Sequence, residues 1–198
     1  MEGLARCPRC FWLQYKKGIR QPEWIVSRLA NRFDIVIKRY FDLYRGTPDL
    51  PPMIEGKVEG QLQNPFQEAY FYHHNNPSEI GAGHYGYYGK LDECLVRTDG
   101  THTTVDHKTS SSDPRVKETL PAYQNQLNSY AFLLEQNRRR TSGFGHLIFF
   151  FPEHDDKLHE GFKFIIHVVT LKTDPDLAKK KFLEAVTVLE GPIPRPAD

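Results

Sequence analysis

Gly89-Lys90-Leu91-Asp92 ends one apparent strand, and Val105-Asp106-His107-Lys108-Thr109 forms the next after an Asp99-Gly100 turn. Two carboxylates and a lysine on adjacent strands are the parts needed to hold a divalent cation beside a phosphodiester. The carboxylates supply hard oxygen ligands, and the ammonium orients a water or neutralises charge. Strand side chains alternate faces, so Asp106 and Lys108 share one face while Val105 and His107 take the other. A two-residue loop at Asp99-Gly100 would pair Asp92 with His107, on the wrong face. A three-residue loop over 98–100 pairs Asp92 with Asp106 instead. Gly100 stands where such a loop needs a left-handed residue, so an odd-length loop is expected. The bland alternative for Asp92 and Lys108 is a cross-strand ion pair on a solvated face, worth at most ~1 kcal/mol.

The elements that must position these groups can be traced along the chain. Residues 22–45 carry Leu29, Phe33, Val36, Ile37, Tyr40, Phe41 and Tyr44 at helical spacing. Thr47-Pro48 and Pro51-Pro52 forbid continuation of that helix. Residues 53–82 are punctuated by Asn64-Pro65, Asn75-Asn76-Pro77 and Gly81-Ala82-Gly83, and 66–74 suits either a helix or a strand. A hairpin is expected over 84–96 and 101–108. A second long helix is expected over 119–139, with Tyr123, Leu127, Tyr130, Leu133 and Leu134 on one side. Strands should follow at 145–151 and 162–170, joined by a charged turn. A last helix should run to about residue 189, with Asp174 as N-cap and Pro175 at its first position. The Pro-rich tail from Gly191 is expected to be loose. The order implies an α/β or α+β fold, a mixed central sheet flanked by helices. A single domain over 1–198 is expected, divided into a helical part at 1–52, a core at 84–190 and a tail at 191–198.

Composition narrows the partners. The chain has 198 residues and a formal net charge of +1, so it lacks the footprint of a DNA-coating protein and any nucleic-acid contact must come from local patches. No apolar stretch is long enough to span a membrane and no signal-peptide core opens the chain, so a cytoplasmic protein without a membrane partner is expected. Three cysteines make no disulfide framework. Cys7-Pro8-Arg9-Cys10 has the spacing of a metal-ligand pair, but no second pair follows, and reduced structural thiols are expected. His73, His74 and the scattered other histidines show no ligand spacing with an acidic partner and are expected at the surface.

Taken in order, Asp92 in Gly-Lys-Leu-Asp, Asp106-His107-Lys108-Thr109 and Gln126-Leu127-Asn128-Ser129-Tyr130 resemble the three motifs of the PD-(D/E)XK nuclease superfamily, within it the RecB-like branch. The opening Cys-Pro-Arg-Cys-Phe-Trp-Leu is similar to that of several members, including nucleases of CRISPR adaptation. The match runs from Cys7 to the last helix. It implies a restriction-endonuclease-like core and a Mg²⁺- or Mn²⁺-dependent deoxyribonuclease acting on ends or single strands, in DNA repair or a related pathway.

The resemblance also assigns residues. Asp92 and Asp106 would be metal ligands with the backbone carbonyl of His107, and Lys108 would act on the attacking water. Gln126 would contact a catalytic carboxylate or a phosphate, and Tyr130 would share its helical face. Members often carry a further histidine ligand on the first long helix. Asp34 stands there in this chain and could replace it, although Asp34 and Lys38 also suit an ordinary surface pair. Arg9 is the candidate DNA contact in the basic N-terminal region. Protein partners are left open. Some relatives hold an iron–sulfur cluster through C-terminal cysteines, which are absent after Cys94, so no such cluster is expected. The rival expectation is a DNA-binding module of the same fold with weak or no cleavage.

Overall fold

The computed structural model describes residues 2–22, 29–74, 85–111, 113–114, 120–153, 161 and 163–196. In chain order the elements are α1 (Glu2–Arg6), α2 (Pro8–Lys17), α3 (Leu29–Asp42), β1 (Gln61–Leu62), β2 (Ala69–His74), β3 (Tyr85–Lys90), β4 (Glu93–Val96), β5 (His102–Thr109), α4 (Leu120–Gln136), β6 (Thr141–Pro152), β7 (Phe164–Lys172) and α5 (Pro175–Glu190). The fold is mixed α/β. A five-stranded sheet runs β1-β4-β5-β6-β7, with β5 and β6 parallel and the other neighbours antiparallel. No helix among the described residues is long and apolar enough to cross a membrane.

Strand alternation gives the sheet two cores. On one face Leu95, Val105, Ile148 and Phe150 pack under Ile37 and Phe41 of α3. On the other, Cys94, Leu147, Phe149 and Phe151 pack under Leu127, Phe132, Leu133 and Leu134 of α4 and Ala178 of α5. The helical stripe expected over 22–45 is narrower than its sequence pattern. Ile37 and Phe41 are buried, whereas Leu29 and Val36 are exposed. Residues 23–28 of that stretch, the Asn-Asn-Pro and Gly-Ala-Gly breaks and most of the charged turn after Pro152 lie outside the described residues. Asp174 caps α5 as expected, its Oδ1 accepting from the Leu177 N–H at 2.9 Å.

Five expectations are corrected. First, the hairpin is split between two sheets: β3 pairs with β2, which settles 69–74 as strand, and only β4 pairs with β5. The chain changes sheets at Leu91-Asp92, where Leu91 is fully buried and its N–H bonds the Glu68 carbonyl at 2.9 Å. Second, His74, His102, His107 and His146 are buried, because each sits at a core-facing strand position. Third, the helix expected to reach residue 139 stops at Gln136, and Arg138 adopts a left-handed φ of 61°, so Arg138-Arg139-Arg140 lie beyond the helix. Fourth, the tail is anchored: Trp12 Nε1 donates to the Gly191 carbonyl at 3.1 Å and Arg9 Nη1 to that of Pro194 at 3.3 Å. Fifth, Cys7 and Cys10 pair as a disulfide, one helical turn bringing their Cα atoms to 5.3 Å, within bridging range.

α4 lies close enough to the sheet to demand a missing side chain. A Cβ at Gly145 of β6 would stand 2.9 Å from Thr104 Oγ1 and 3.0 Å from Leu127 Cδ2. Overpacking of a buried position costs typically about 1–3 kcal/mol. Gly145→Ala should lower unfolding free energy by that amount in urea titration. An unchanged midpoint would mean that α4 is not seated on the sheet this tightly.

Candidate functional site

The loop after β4 decides where Asp92 points. Arg97 N–H bonds the Thr101 carbonyl and Gly100 N–H the Arg97 carbonyl, both at 2.9 Å, closing a three-residue loop over 98–100. Gly100 takes a φ of 77°, the left-handed conformation expected of it. Asp99 Oδ1 fixes the exit by accepting from Thr101 N–H at 2.9 Å. The register pairs Glu93 with Val105, and one further step brings Asp92 opposite Asp106. Asp92 Oδ2 accepts from the His107 N–H at 3.0 Å, which ties the carboxylate to the end of β5.

Asp106 and Lys108 leave β5 toward α4 and form an ion pair. Gln126 closes a ring with them. Its Oε1 accepts from Lys108 Nζ at 2.8 Å, while its Nε2 donates to Asp106 Oδ1 at 2.9 Å and to the Tyr130 hydroxyl at 2.7 Å. Gln126 and Tyr130 meet because they stand one helical turn apart. Lys108 also lies 4.9 Å from the Tyr123 ring centroid, a cation–π distance. Asp106 is only 1% exposed. Burial pushes its carboxyl up to about 7, with Lys108 opposing and Asp92 adding to the rise. Burial, followed by the Asp106 charge, pushes the Tyr130 phenol well above its ordinary value. A cleft of about 480 Å³ opens on Lys108, Gln126 and Tyr130, with Tyr87, Tyr88 and Tyr123 on its walls.

The opposite face of β5 holds a second set of groups. His107 points toward α3, its ring 4.6 Å from Phe41 and 5.9 Å from Phe150 by centroids. Lys38 Nζ lies 3.1 Å from Asp34 Oδ2 and 3.0 Å from Asp92 Oδ1, joining helix to strand. Burial pushes the Asp92 carboxyl up, but Lys38 and the His107 N–H outweigh it and hold the group below its usual range. Burial pushes the His107 imidazole down to about 4, against the pull of Asp92. One donor atom each from Asp34, Asp92 and His107 lie within 4.8 Å of one another. The position of α3 is set just beyond its end by Arg45, which grips the buried Glu93 at 2.7 and 3.1 Å and the Gln63 carbonyl at 2.7 Å.

Of the residues singled out from sequence, Asp92, Asp106, Lys108, Gln126 and Tyr130 come together. Asp34 joins Asp92 from the α3 side rather than Asp106. Arg9 is engaged with the tail carbonyl of Pro194. Two participants were missed. Sequence spacing pairs Lys38 with Asp34 alone, since a helix-to-strand pair has no spacing to show it. The imidazole of His107 was assigned to the other face, correctly, but without a role there.

No family model matches the chain, and no curated protein does. A solved structure, the crystal structure of SSO0001, matches it with a TM-score of 0.52 at 16% identity, over 94% of this chain and 74% of that one. At that identity the match shows the fold alone.

The raised Asp106 carboxyl has a consequence for stability. Its contribution is fully present below the ordinary carboxylate pKa and is lost as pH rises through about 7. In metal-free buffer the melting temperature of the parent protein should therefore fall as pH rises from 5 to 8, by roughly 2–4 °C for each kcal/mol lost. Asp106→Asn, which cannot ionise, should show a smaller fall over the same range. Calorimetric scans across that range check this, and an equal fall in the variant would refute it.

Proposed function

We propose that this chain is a metal-dependent DNA nuclease of the RecB-like type, cutting phosphodiester bonds at ends or in single strands. One observation carries the reading: Asp106, Lys108 and Gln126 form a closed ring on one face of β5, with Asp92 opposite Asp106 across the three-residue loop. The residues fit a hard divalent cation. Asp92 and Asp106 offer carboxylate oxygens, the donors Mg²⁺ and Mn²⁺ prefer, and among the described residues Asp106 Oδ2 is buried without a hydrogen bond beyond its ion pair with the Lys108 ammonium. Held there, the cation would supply charge neutralisation at the phosphate and acidify a bound water.

The chain's own groups would do the rest. Lys108, facing the cleft, would orient the attacking water and donate to a non-bridging phosphate oxygen. Gln126 keeps both its neighbours in place, since its amide can satisfy Lys108 and Asp106 together in only one orientation. Tyr130 fixes that orientation by accepting from the same amide nitrogen. The tyrosines of the cleft offer π faces on which unpaired bases can stack, as sequence-tolerant single-strand binding requires. A second reading, a DNA-binding module without cleavage, draws on the two lysines: Lys38 and Lys108 already balance Asp92 and Asp106 without a metal.

Linear single- and double-stranded DNA incubated with Mn²⁺ separates the two. On the nuclease reading, cleavage appears and EDTA abolishes it. Asp106→Ala and Lys108→Ala, each verified as folded by circular dichroism, lower the rate roughly 100-fold or more. DNA retention without cleavage supports the binding module. Cleavage undiminished in both variants refutes the assignment of the site.

A further inference from the structure

We propose that the α3 side of β5 carries a cation site of its own, formed by Asp34, Asp92 and the imidazole of His107, which takes a divalent transition-metal ion in preference to Mg²⁺. It shares Asp92, and the helix position of Asp34, with the nuclease reading, and rests for its new ligand on the His107 imidazole.

The first is the imidazole itself. His107 is only 9% exposed, and among the described residues neither ring nitrogen has a hydrogen-bond partner. Buried polar groups are nearly always satisfied, and an imidazole held without a partner is set up to ligate. The ring cannot turn away freely, being packed between Phe41 and Phe150. The second observation is the donor spacing. Oxygens of Asp34 and Asp92 and a His107 nitrogen fall within 4.8 Å of one another. Donors on a common ion lie at most about 4.2 Å apart, so a small inward movement closes the set. The third is the Lys38 ammonium between Asp34 Oδ2 and Asp92 Oδ1, at 3.1 and 3.0 Å. A cation already occupies the mouth of the cluster, and Lys38 is exposed enough to leave for solvent.

The metal class follows from the donors. Mg²⁺ takes oxygen ligands and water, whereas imidazole suits Co²⁺, Zn²⁺ and their neighbours. Asp106 belongs to the other face of the strand, so the α3 site uses the nitrogen that the Asp92–Asp106 pair lacks. His107 is thus assigned a side-chain role distinct from the backbone carbonyl suggested by family resemblance.

The test is Co²⁺ titration of the whole chain with the Cys7–Cys10 disulfide intact, so that thiolates do not compete. Visible absorption reports ligation and calorimetry reports affinity. Co²⁺ should bind the parent protein more tightly than Mg²⁺. His107→Leu should weaken Co²⁺ about tenfold or more, in the range by which lost ligand support weakens metal sites, and leave Mg²⁺ nearly unchanged. Asp34→Asn, at a position where a folding defect is not expected, should weaken Co²⁺ comparably. Lys38→Met should tighten it by removing the competing ammonium. Co²⁺ binding that is no tighter than Mg²⁺ binding, or that ignores both His107→Leu and Asp34→Asn, overturns the inference. Mg²⁺-dependent cleavage surviving alongside such a result leaves the nuclease reading intact. Nitrogen-dependent Co²⁺ binding without DNA cleavage has the converse meaning.

Discussion

Everything at this site hangs on the two-residue period of β5, a strand covered on both faces. Consecutive residues of a strand cannot share a face. Asp106 is therefore committed to α4, and His107 to α3. A buried carboxylate is costly unless it is paired, and removing one member of a buried pair leaves the other uncompensated. The α4 face meets that demand with the Lys108 ammonium and the Gln126 amide, the α3 face with the Asp92–Lys38–Asp34 chain. Asp92 links the two because it sits just before the start of β4, outside the ladder, where the side chain can lean across.

The helices that address β5 are held by polar contacts as well as by their apolar stripes. Arg45 is planar and bidentate on Glu93 and stacks 4.6 Å from the Phe66 ring centroid, so α3 is fixed against β4 in both position and tilt. α4 is held at its middle and just beyond its C-terminal end. Asn128 Oδ1 accepts from Asp174 N–H at 2.9 Å, joining α4 to the cap of α5, and Asn137 Nδ2 donates to the Phe71 carbonyl of β2 at 2.9 Å. The small β2–β3 sheet thus serves as a wall for α4. Gly89 of β3 makes this possible, since any Cβ there would meet Leu133 at 2.6 Å.

The sequence made the local geometry legible and left the long-range pairing hidden. Alternation on β5, the three-residue loop with its left-handed Gly100, the Gln126–Tyr130 turn and the Asp174 cap are all set by residues a few positions apart. The division of the hairpin between two sheets was not, because the partner of Tyr85–Lys90 lies more than ten residues back in the sequence, beyond any turn signature that would join the two strands. The buried histidines were misplaced for a related reason. His74, His102, His107 and His146 occupy alternating strand positions whose inward side depends on which helix covers which face. Arg9 looked like a basic surface group until the C-terminal tail came back across α2.

The two lysines at the site are not equivalent, and the difference bears on which cation each face could accept. Lys108 has a side chain 18% exposed, bonded to Gln126, paired with Asp106 and set over Tyr123. Moving it would break all three contacts and uncover a carboxylate that is buried whole. Lys38 is 33% exposed and bridges two carboxylates, Asp34 and Asp92. A divalent ion doubles the charge at that position, so the attraction to Asp34 and Asp92 grows and both carboxylates stay paired when Lys38 moves out to water. Exchange on the α3 face is therefore cheap, and on the α4 face the ammonium stays. A cation on the α4 side must be held alongside Lys108 and not in its place, which is the arrangement a water-orienting lysine requires.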